Sequence, residues 1–219
     1  MHRLLLYLGS GLVFIGSTSA YILLEVPAVF LFPYHLRIDR TVIYSDVPID
    51  PAITQVMARA DRLLAASPIN RPDVSRRIVL TNGGWRWRIL AAGATGGVGL
   101  RRPYSSVMIF NRSSVAGDWV TNGNPLGGTR TLSGAIAHEM THRLVALHIG
   151  QFAAIRLPAW KREGYADYVA RETSLDSRDE ARIRAKYPHA PLLAYYEGRR
   201  RVEAILQHNG GSVDALFDE

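Results

Sequence analysis

The sequence contains no cysteine, and this absence removes several classes of protein at once. Without thiols there can be no disulfide scaffold, no cysteine-ligated zinc finger, no iron–sulfur cluster and no thiol nucleophile. The glycine-rich stretch 91–99 (AAGATGGVG) follows neither the GxGxxG nor the GxxxxGK[ST] pattern, so a phosphate-binding cradle is not expected there. Any tight metal site must therefore use histidine, aspartate or glutamate side chains.

Acidic residues are also scarce relative to basic ones, with 19 Asp and Glu against 26 Lys and Arg in 219 residues. Residues 1–36 contain one of each sign, Arg3 and Glu25, so the remainder keeps a net charge of 25 − 18 = +7. A basic domain favours anionic lipid, nucleic acid or acidic substrates. Because no dense Lys/Arg block is present, we take anionic lipid as a candidate contact and do not expect nucleic acid as a partner.

The segment 4–36 is nearly free of charge, and two interpretations compete for it. In one, Leu4–Ile15 is the apolar core of a signal peptide with a small-residue cleavage site near Ala20, and the mature protein is secreted or periplasmic. In the other, the run from Leu4 to about Ala28 is an uncleaved single-pass anchor, which explains why the apolar run continues beyond Ala20. We favour the anchor; the flanking arginines do not settle its orientation.

The remainder, residues 37–219, predicts one α+β domain: a small mixed sheet with helices, then a helical C-terminal half. Asp50-Pro51 is typical of a helix start, and Gly150 of a helix end. We expect strands over 41–47, 77–81, 85–90 and 105–110, a long loop over 111–130, and helices over 51–66, 131–149, 158–172, 192–208 and 212–217.

Residues 138–142 read His-Glu-Met-Thr-His, a pattern with a specific chemical meaning on a helix. Positions i and i+4 share one helix face and lie roughly 6 Å apart along the axis, so His138 and His142 can reach one metal ion. Glu139 stands beside that face, where its carboxylate can meet a metal-bound water and act as a general base.

A catalytic zinc site needs a third protein ligand, and the sequence offers two candidates. His148 would complete H-E-x-x-H-x-x-V-x-x-H, but Val145 stands where a turn-permitting glycine is needed, and His148 would lie roughly 9 Å beyond His142 on a continuing helix. Glu163 is the favoured candidate, because a second helix crossing the first can present it to the metal. Asp167, one turn further, would accept a hydrogen bond from the outer nitrogen of a ligand histidine.

HEMTH, followed twenty-one residues later by E-x-x-x-D within W-x-x-E-G-x-A-x-Y, resembles the gluzincin branch of zinc metallopeptidases and is similar to bacterial peptidase-MA-type domains over residues 131–172. The resemblance implies a zincin-like fold, Zn²⁺ held by His138, His142 and Glu163, Glu139 as general base, and Asp167 as the residue orienting a ligand histidine. It also implies a peptide or protein substrate held along an edge strand, for which Ser105–Phe110 is the candidate. Arg162 stands where thermolysin-like relatives carry asparagine, and no G-A/M-E-N sequence is present.

The sequence does not identify the side chain that would stabilise the oxyanion of a peptidase reaction. Tyr196 is our candidate among the polar residues that follow the motif, which also include Tyr187, His189, Tyr195 and His208. Two other functions stay open: a zinc-stabilised, non-hydrolytic binding protein on the same scaffold, and a basic membrane- or nucleic-acid-binding module.

Overall fold

The computed structural model describes residues 32–125, 127–175, 177–188 and 190–218 of the chain. The apolar segment before Phe32, with both interpretations of it, lies outside the described residues, as does His189. Within the described ranges, no helix has both the length and the apolar content that a membrane crossing requires.

The chain is a mixed α and β protein, which confirms the expected class, and a five-stranded sheet is its centre. The strand order is β1-β2-β3-β5-β4; β2, β3 and β5 run parallel, whereas β1 and β4 are antiparallel strands at the two edges. A separate antiparallel sheet contains β6, β7 and β8. The strands are β1 (Tyr34–Ile38), β2 (Thr41–Ser45), β3 (Arg76–Leu80), β4 (Gly99–Arg101), β5 (Val107–Phe110), β6 (Arg112–Ser114), β7 (Trp119–Thr121) and β8 (Thr129–Thr131).

Eight helices lie within the described residues, and every regular element after β8 is helical, as the sequence predicts for the C-terminal half. Asp50 begins the first of them, because its Oδ1 accepts a hydrogen bond from the Ala52 amide at 2.8 Å. The helices are α1 (Ile53–Ala65), α2 (Trp85–Ala91), α3 (Leu132–Ile149), α4 (Gln151–Arg156), α5 (Ala159–Ala170), α6 (Ser177–Lys186), α7 (Pro191–His208) and α8 (Val213–Asp218).

The sheet separates two clusters of buried side chains. On the first face, Ile43, Ile78 and Met108 pack against α1 and α3 in the main core. On the second face, a smaller cluster is covered by α2 and Phe32. Alternate residues of each strand supply the two clusters, as the pleat requires.

The expected strand over 85–90 is wrong: the WRWRIL segment is helix α2. The alternation of Trp and Arg suggests a period of two, but Trp87, Leu90 and Ala91 are the buried residues, and this i, i+3, i+4 spacing is helical. The helix begins after Gly84, whose backbone is extended. Burial against the sheet therefore outweighs the β-propensity of tryptophan and isoleucine.

Two further expectations about strands are corrected. Val107–Phe110 is not an edge strand, because it pairs with β3 on one side and β4 on the other; the edge is β4, which begins within the glycine-rich stretch. The four buried residues of β5 are typical of a central strand. Residues 111–130 are not one long loop but contain β6, β7 and β8, whose three-residue lengths leave no periodic signal. The structure also adds α4 and α6, and it places Tyr34–Leu36 in the sheet rather than in the N-terminal segment.

Candidate metal centre

Helix α3 carries the HEMTH residues through the interior of the protein. Its first turn is capped by Thr131 Oγ1, which accepts from the Gly134 amide at 3.0 Å, and by Asp118, which accepts from the Ser133 amide at 2.8 Å. An acceptor and a negative charge at a helix N-terminus stabilise it. His138 and Glu139 are both buried on this helix. The helix ends at Gly150, whose φ of 88° suits glycine.

Helix α5 packs across α3 and presents two carboxylates to it. A close approach between α5 and α7 fixes its position, since a Cβ on Gly164 would meet the Gly198 carbonyl at 2.5 Å. Tyr165 is fully buried and exchanges a hydrogen bond of 2.8 Å with Ser67. The glycine pair and the buried tyrosine therefore hold α5 against the rest of the core, with Glu163 and Asp167 on the side facing α3.

Three side-chain atoms converge between α3 and α5. His142 Nε2 lies 3.1 Å from His138 Nε2. Glu163 Oε2 lies 3.4 Å from His138 Nε2 and 3.2 Å from His142 Nε2. These three residues form a group of potential metal ligands among the described residues.

The dimensions of this triangle match the needs of a tetrahedral zinc ion. Ligand atoms at about 2.0 Å from one zinc in tetrahedral geometry stand about 3.3 Å from one another. The measured separations of 3.1, 3.2 and 3.4 Å bracket that value. Two imidazoles and one carboxylate also form a donor set that zinc accepts, and they leave a fourth position for water or substrate. The residues present therefore fit the ion.

Asp167 supports His138 from behind. Its Oδ1 accepts from His138 Nδ1 at 2.7 Å, so in the neutral ring the proton stays on Nδ1 and the Nε2 lone pair is free for the metal. Burial disfavours the imidazolium, but the charge of Asp167 and the hydrogen bonds to Asp167 and Glu163 together outweigh it and raise the pKa of His138 to about 10.

A buried arginine completes this support. Arg130, on β8, lies 2.9 Å from Asp167 Oδ1 and 3.1 Å from Glu172 Oε1, and its side chain is 5% exposed. Burial alone would raise the pKa of Asp167, but the positive charges of the Arg130 guanidinium and of the His138 ring hold that pKa below its usual value. Arg130 therefore keeps Asp167 ionised as a hydrogen-bond acceptor for His138.

Glu163 is held by its other oxygen. Oε1 accepts from Arg162 Nε at 2.9 Å, which turns Oε2 toward the two histidines. Burial opposes ionisation, but the neighbouring His142 and His138 lower the pKa of Glu163 well below its ordinary range. An ionised carboxylate is the form that ligates a metal. Arg162 thus contacts the candidate ligand directly.

A cavity of about 520 Å³ opens onto the triangle. Glu139 lines it beside the two histidines, and the edge strand β4 forms the opposite wall. Tyr195 of α7 also lines it; burial, with the charges of Glu163 and Asp167, raises the pKa of the Tyr195 hydroxyl. The three candidate metal ligands, the Glu139 carboxylate, the Tyr195 phenol and the edge strand β4 therefore line one cavity.

Other residues singled out from the sequence lie elsewhere. His148 Nε2 contacts Asp214 at 2.5 Å at the end of α3, away from Glu163. Tyr196 is not among the residues lining the metal cavity; it packs against a small cluster containing Leu175 and Leu193, so the oxyanion candidate moves to its neighbour Tyr195. Tyr187 and His208 are exposed at the ends of α6 and α7.

Arg130 and β4 are the parts of the site that sequence reasoning missed. No pattern around Arg130 distinguishes it from the exposed arginines of this basic chain, and β4 has the composition of a loop. Adjacent tyrosines on α7 leave the choice between Tyr195 and Tyr196 to the rotation of that helix. Comparison of the chain with models of known families, with curated proteins and with solved structures found no match.

Proposed function

We propose that this protein is a zinc-dependent metallopeptidase with a zincin-like domain of the gluzincin type, anchored to a membrane by its apolar N-terminal segment. The observation that carries the proposal is the triangle of His138 Nε2, His142 Nε2 and Glu163 Oε2, with sides of 3.1 to 3.4 Å beside a buried glutamate. These three residues would hold the ion. Bound zinc lowers the pKa of its water to about 7 and polarises a carbonyl group.

Glu139 is the proposed general base. It neighbours His138 on α3 and lines the same cavity, so its carboxylate is placed to take a proton from the attacking water. The same carboxyl group then returns that proton to the departing amine. Because Glu139 is not one of the three candidate metal ligands, its carboxylate can take up the proton and release it again, as this shuttle requires.

Tyr195 is the proposed donor to the substrate oxygen. A tyrosine phenol keeps its proton at neutral pH, and the raised pKa of Tyr195 keeps it there at higher pH, so it can donate a hydrogen bond to a carbonyl that gains negative charge. Tyr195 is 37% exposed and lines the cavity that Glu139 and the two histidines also line.

The edge strand β4 is the proposed seat of the substrate backbone. Gly99–Arg101 pairs with β5 on one side only and lines the cavity on the other. An extended peptide can add to such an edge by main-chain hydrogen bonds, which tolerate many side-chain sequences. A peptide lying there would run past the metal triangle.

The test uses the purified full-length chain in detergent. We expect zinc to copurify with the wild-type protein and with Glu139→Gln, and we expect Glu139→Gln to lose about 10²–10⁴-fold of the cleavage of a mixed peptide library. Glu163→Gln should lose zinc as well. Glu197→Gln, the same change at an exposed residue of α7 outside the cavity, should keep both properties.

Two results would separate this proposal from its rivals. If the wild-type protein binds one zinc ion per chain but cleaves no library peptide, the result would indicate the non-hydrolytic zinc-stabilised protein. Failure of the wild-type chain to bind zinc would remove the metal site altogether.

A further inference from the structure

Helix α2 has an apolar side that stays exposed among the described residues. Trp85 is 54% exposed and Ile89 is 50% exposed, one turn apart on the same helix. The opposite side of α2 is buried against the second face of the sheet through Trp87 and Leu90. Arg88 is exposed beside the apolar pair. We call Trp85, Arg88 and Ile89 the α2 patch.

The α2 patch lies in a segment without negative charge. Residues 74–117 contain no aspartate or glutamate but seven arginines, as many positive charges as the net charge of +7 of the whole chain. The seven are Arg76, Arg77, Arg86, Arg88, Arg101, Arg102 and Arg112. Two of them, Arg86 and Arg88, are on α2 itself. Arg86 pairs with Asp46, whereas Arg88 is exposed beside the apolar pair, where a positive charge attracts anions.

The apolar N-terminal run reaches the folded domain at this helix. Phe32, the first described residue, packs in the same cluster as Trp87 and Leu90. Arg86 lies 5.2 Å from the Phe32 ring and 4.6 Å from the Trp85 ring, and it pairs with Asp46 at 2.6 Å. Arg86 therefore links α2 to Phe32, the residue that directly follows the run of residues 4–31.

We propose that the α2 patch docks on the surface of an anionic lipid bilayer. Tryptophan is favoured at the boundary between headgroups and acyl chains, where Ile89 can also bury its side chain. Arg88 then meets lipid phosphates, each basic residue near such a surface contributing about 1 kcal/mol. A bilayer suits the patch better than a second copy, whose own patch is equally basic. The apolar N-terminal run, which carries Glu25, is the other candidate occupant, and the test below distinguishes it from lipid.

Docking of the α2 patch would bring the metal cavity close to the bilayer. The chain leaves α2 at Ala91, and Gly96 and Gly97, a few residues later, already line the cavity. Substrates would then be reached near the membrane surface. The docking proposal itself does not depend on zinc or on peptidase activity, and its test uses neither.

The test reconstitutes the full-length chain into vesicles of phosphatidylcholine and phosphatidylglycerol that carry brominated acyl chains, which quench nearby tryptophans. We expect the brominated lipid to quench part of the fluorescence, and Trp85→Phe to remove most of that quenching. Trp119→Phe is the matched control: Trp119 is 41% exposed, but it lies on β7 in the other sheet. That control should retain the quenching.

A charge reversal provides the second measurement. The preference of the α2 patch for anionic lipid is measured by comparing the quenching in anionic and in neutral vesicles. Arg88→Glu should weaken this preference by about fivefold or more, since about 1 kcal/mol is lost for each basic residue. Arg62→Glu, the same change at an exposed site on α1, should leave it unchanged. If quenching persists in Trp85→Phe, or the wild-type protein shows none, the α2 patch faces something other than lipid and the proposal is wrong.

Discussion

The two faces of the central sheet are built to different degrees. The first face is covered by α1 and α3, and its cluster extends through α5 and α7, so that polar groups such as Asp167 are fully enclosed. In the part of the chain that the structure describes, the second face is covered by the short helix α2 and by Phe32. The outer side of α2 leaves Trp85 and Ile89 exposed.

The difference indicates what each face is for. On the first, enclosure lowers the local dielectric, which strengthens the interactions among Arg130, Asp167 and His138 and gives the triangle a fixed shape. On the second, the described residues leave Trp85 and Ile89 exposed beside Arg88, and this is the surface for which we propose a lipid partner.

The largest expected effect comes from breaking one ion pair on each face. Arg130→Met leaves Asp167 buried beside a single remaining partner, so we expect the free energy of unfolding to fall by about 3 kcal/mol or more. Arg86→Met breaks the pair with Asp46 on the second face, where both side chains keep some contact with solvent, and should cost about 1–2 kcal/mol. Urea denaturation of the full chain in detergent measures both. Equal losses would show that the two faces enclose charge to the same degree.

The next effect tests the close approach that positions Glu163. A Cβ on Gly164 would lie 2.5 Å from the backbone of Gly198, which cannot move aside as a side chain can. We expect Gly164→Ala to lower the free energy of unfolding by about 1–3 kcal/mol and to weaken zinc binding by displacing α5. Gly84→Ala, before α2, meets nothing within 4 Å and should stay within about 0.5 kcal/mol of wild type. Unchanged stability and zinc affinity in Gly164→Ala would contradict this account of α5.

The residues that meet at the triangle are the part of the site most accessible from sequence. His138 and His142 share a face because the helical period places i and i+4 together, and the pair Glu163 and Asp167 follows the same rule on α5. What the spacing of two helices cannot specify is how they cross. Here the crossing depends on Gly164 and Gly198, which are far apart in the chain and gave no sign of contact.

Elements whose pattern is short or ambiguous could not be predicted. Strands of three residues, such as β4 and β8, are too brief for periodicity, and their conformation is imposed by the strands they pair with. Because Arg130 lies on the three-residue strand β8, the sequence pattern does not predict that its side chain is buried. The sequence of helix α2 wrongly predicts a strand, because alternating Trp and Arg is typical of a strand. Packing against the sheet instead buries residues at helical spacing.

A smaller effect concerns the buried Tyr165 of the first face. Burial raises the pKa of this tyrosine to about 12, against about 10 in the unfolded chain. Between those values the unfolded chain loses the phenol proton while the folded chain keeps it. Stability therefore falls as pH rises, by about 1.4 kcal/mol per pH unit. Tyr165→Phe should remove this contribution to the slope in alkaline urea titrations and leave that of Tyr195, whose pKa is also raised, whereas Tyr187→Phe, at an exposed residue, should retain both. A slope unaffected by Tyr165→Phe would assign the alkaline loss to other groups.

The smallest expected effect is that of Ile89→Ala on the second face, and the same substitution at Ile136 on the first face provides the contrast. Ile136, on α3, is fully buried, so Ile136→Ala should cost about 2–5 kcal/mol through lost burial and the cavity it leaves. Ile89→Ala removes the same atoms from α2, where half of the side chain is already in solvent, and should change the free energy of unfolding by less than about 0.5 kcal/mol. Both are measured in detergent by urea denaturation. A cost near that of Ile136→Ala would mean that the chain itself covers Ile89, and the second face would then be closed from within rather than by lipid.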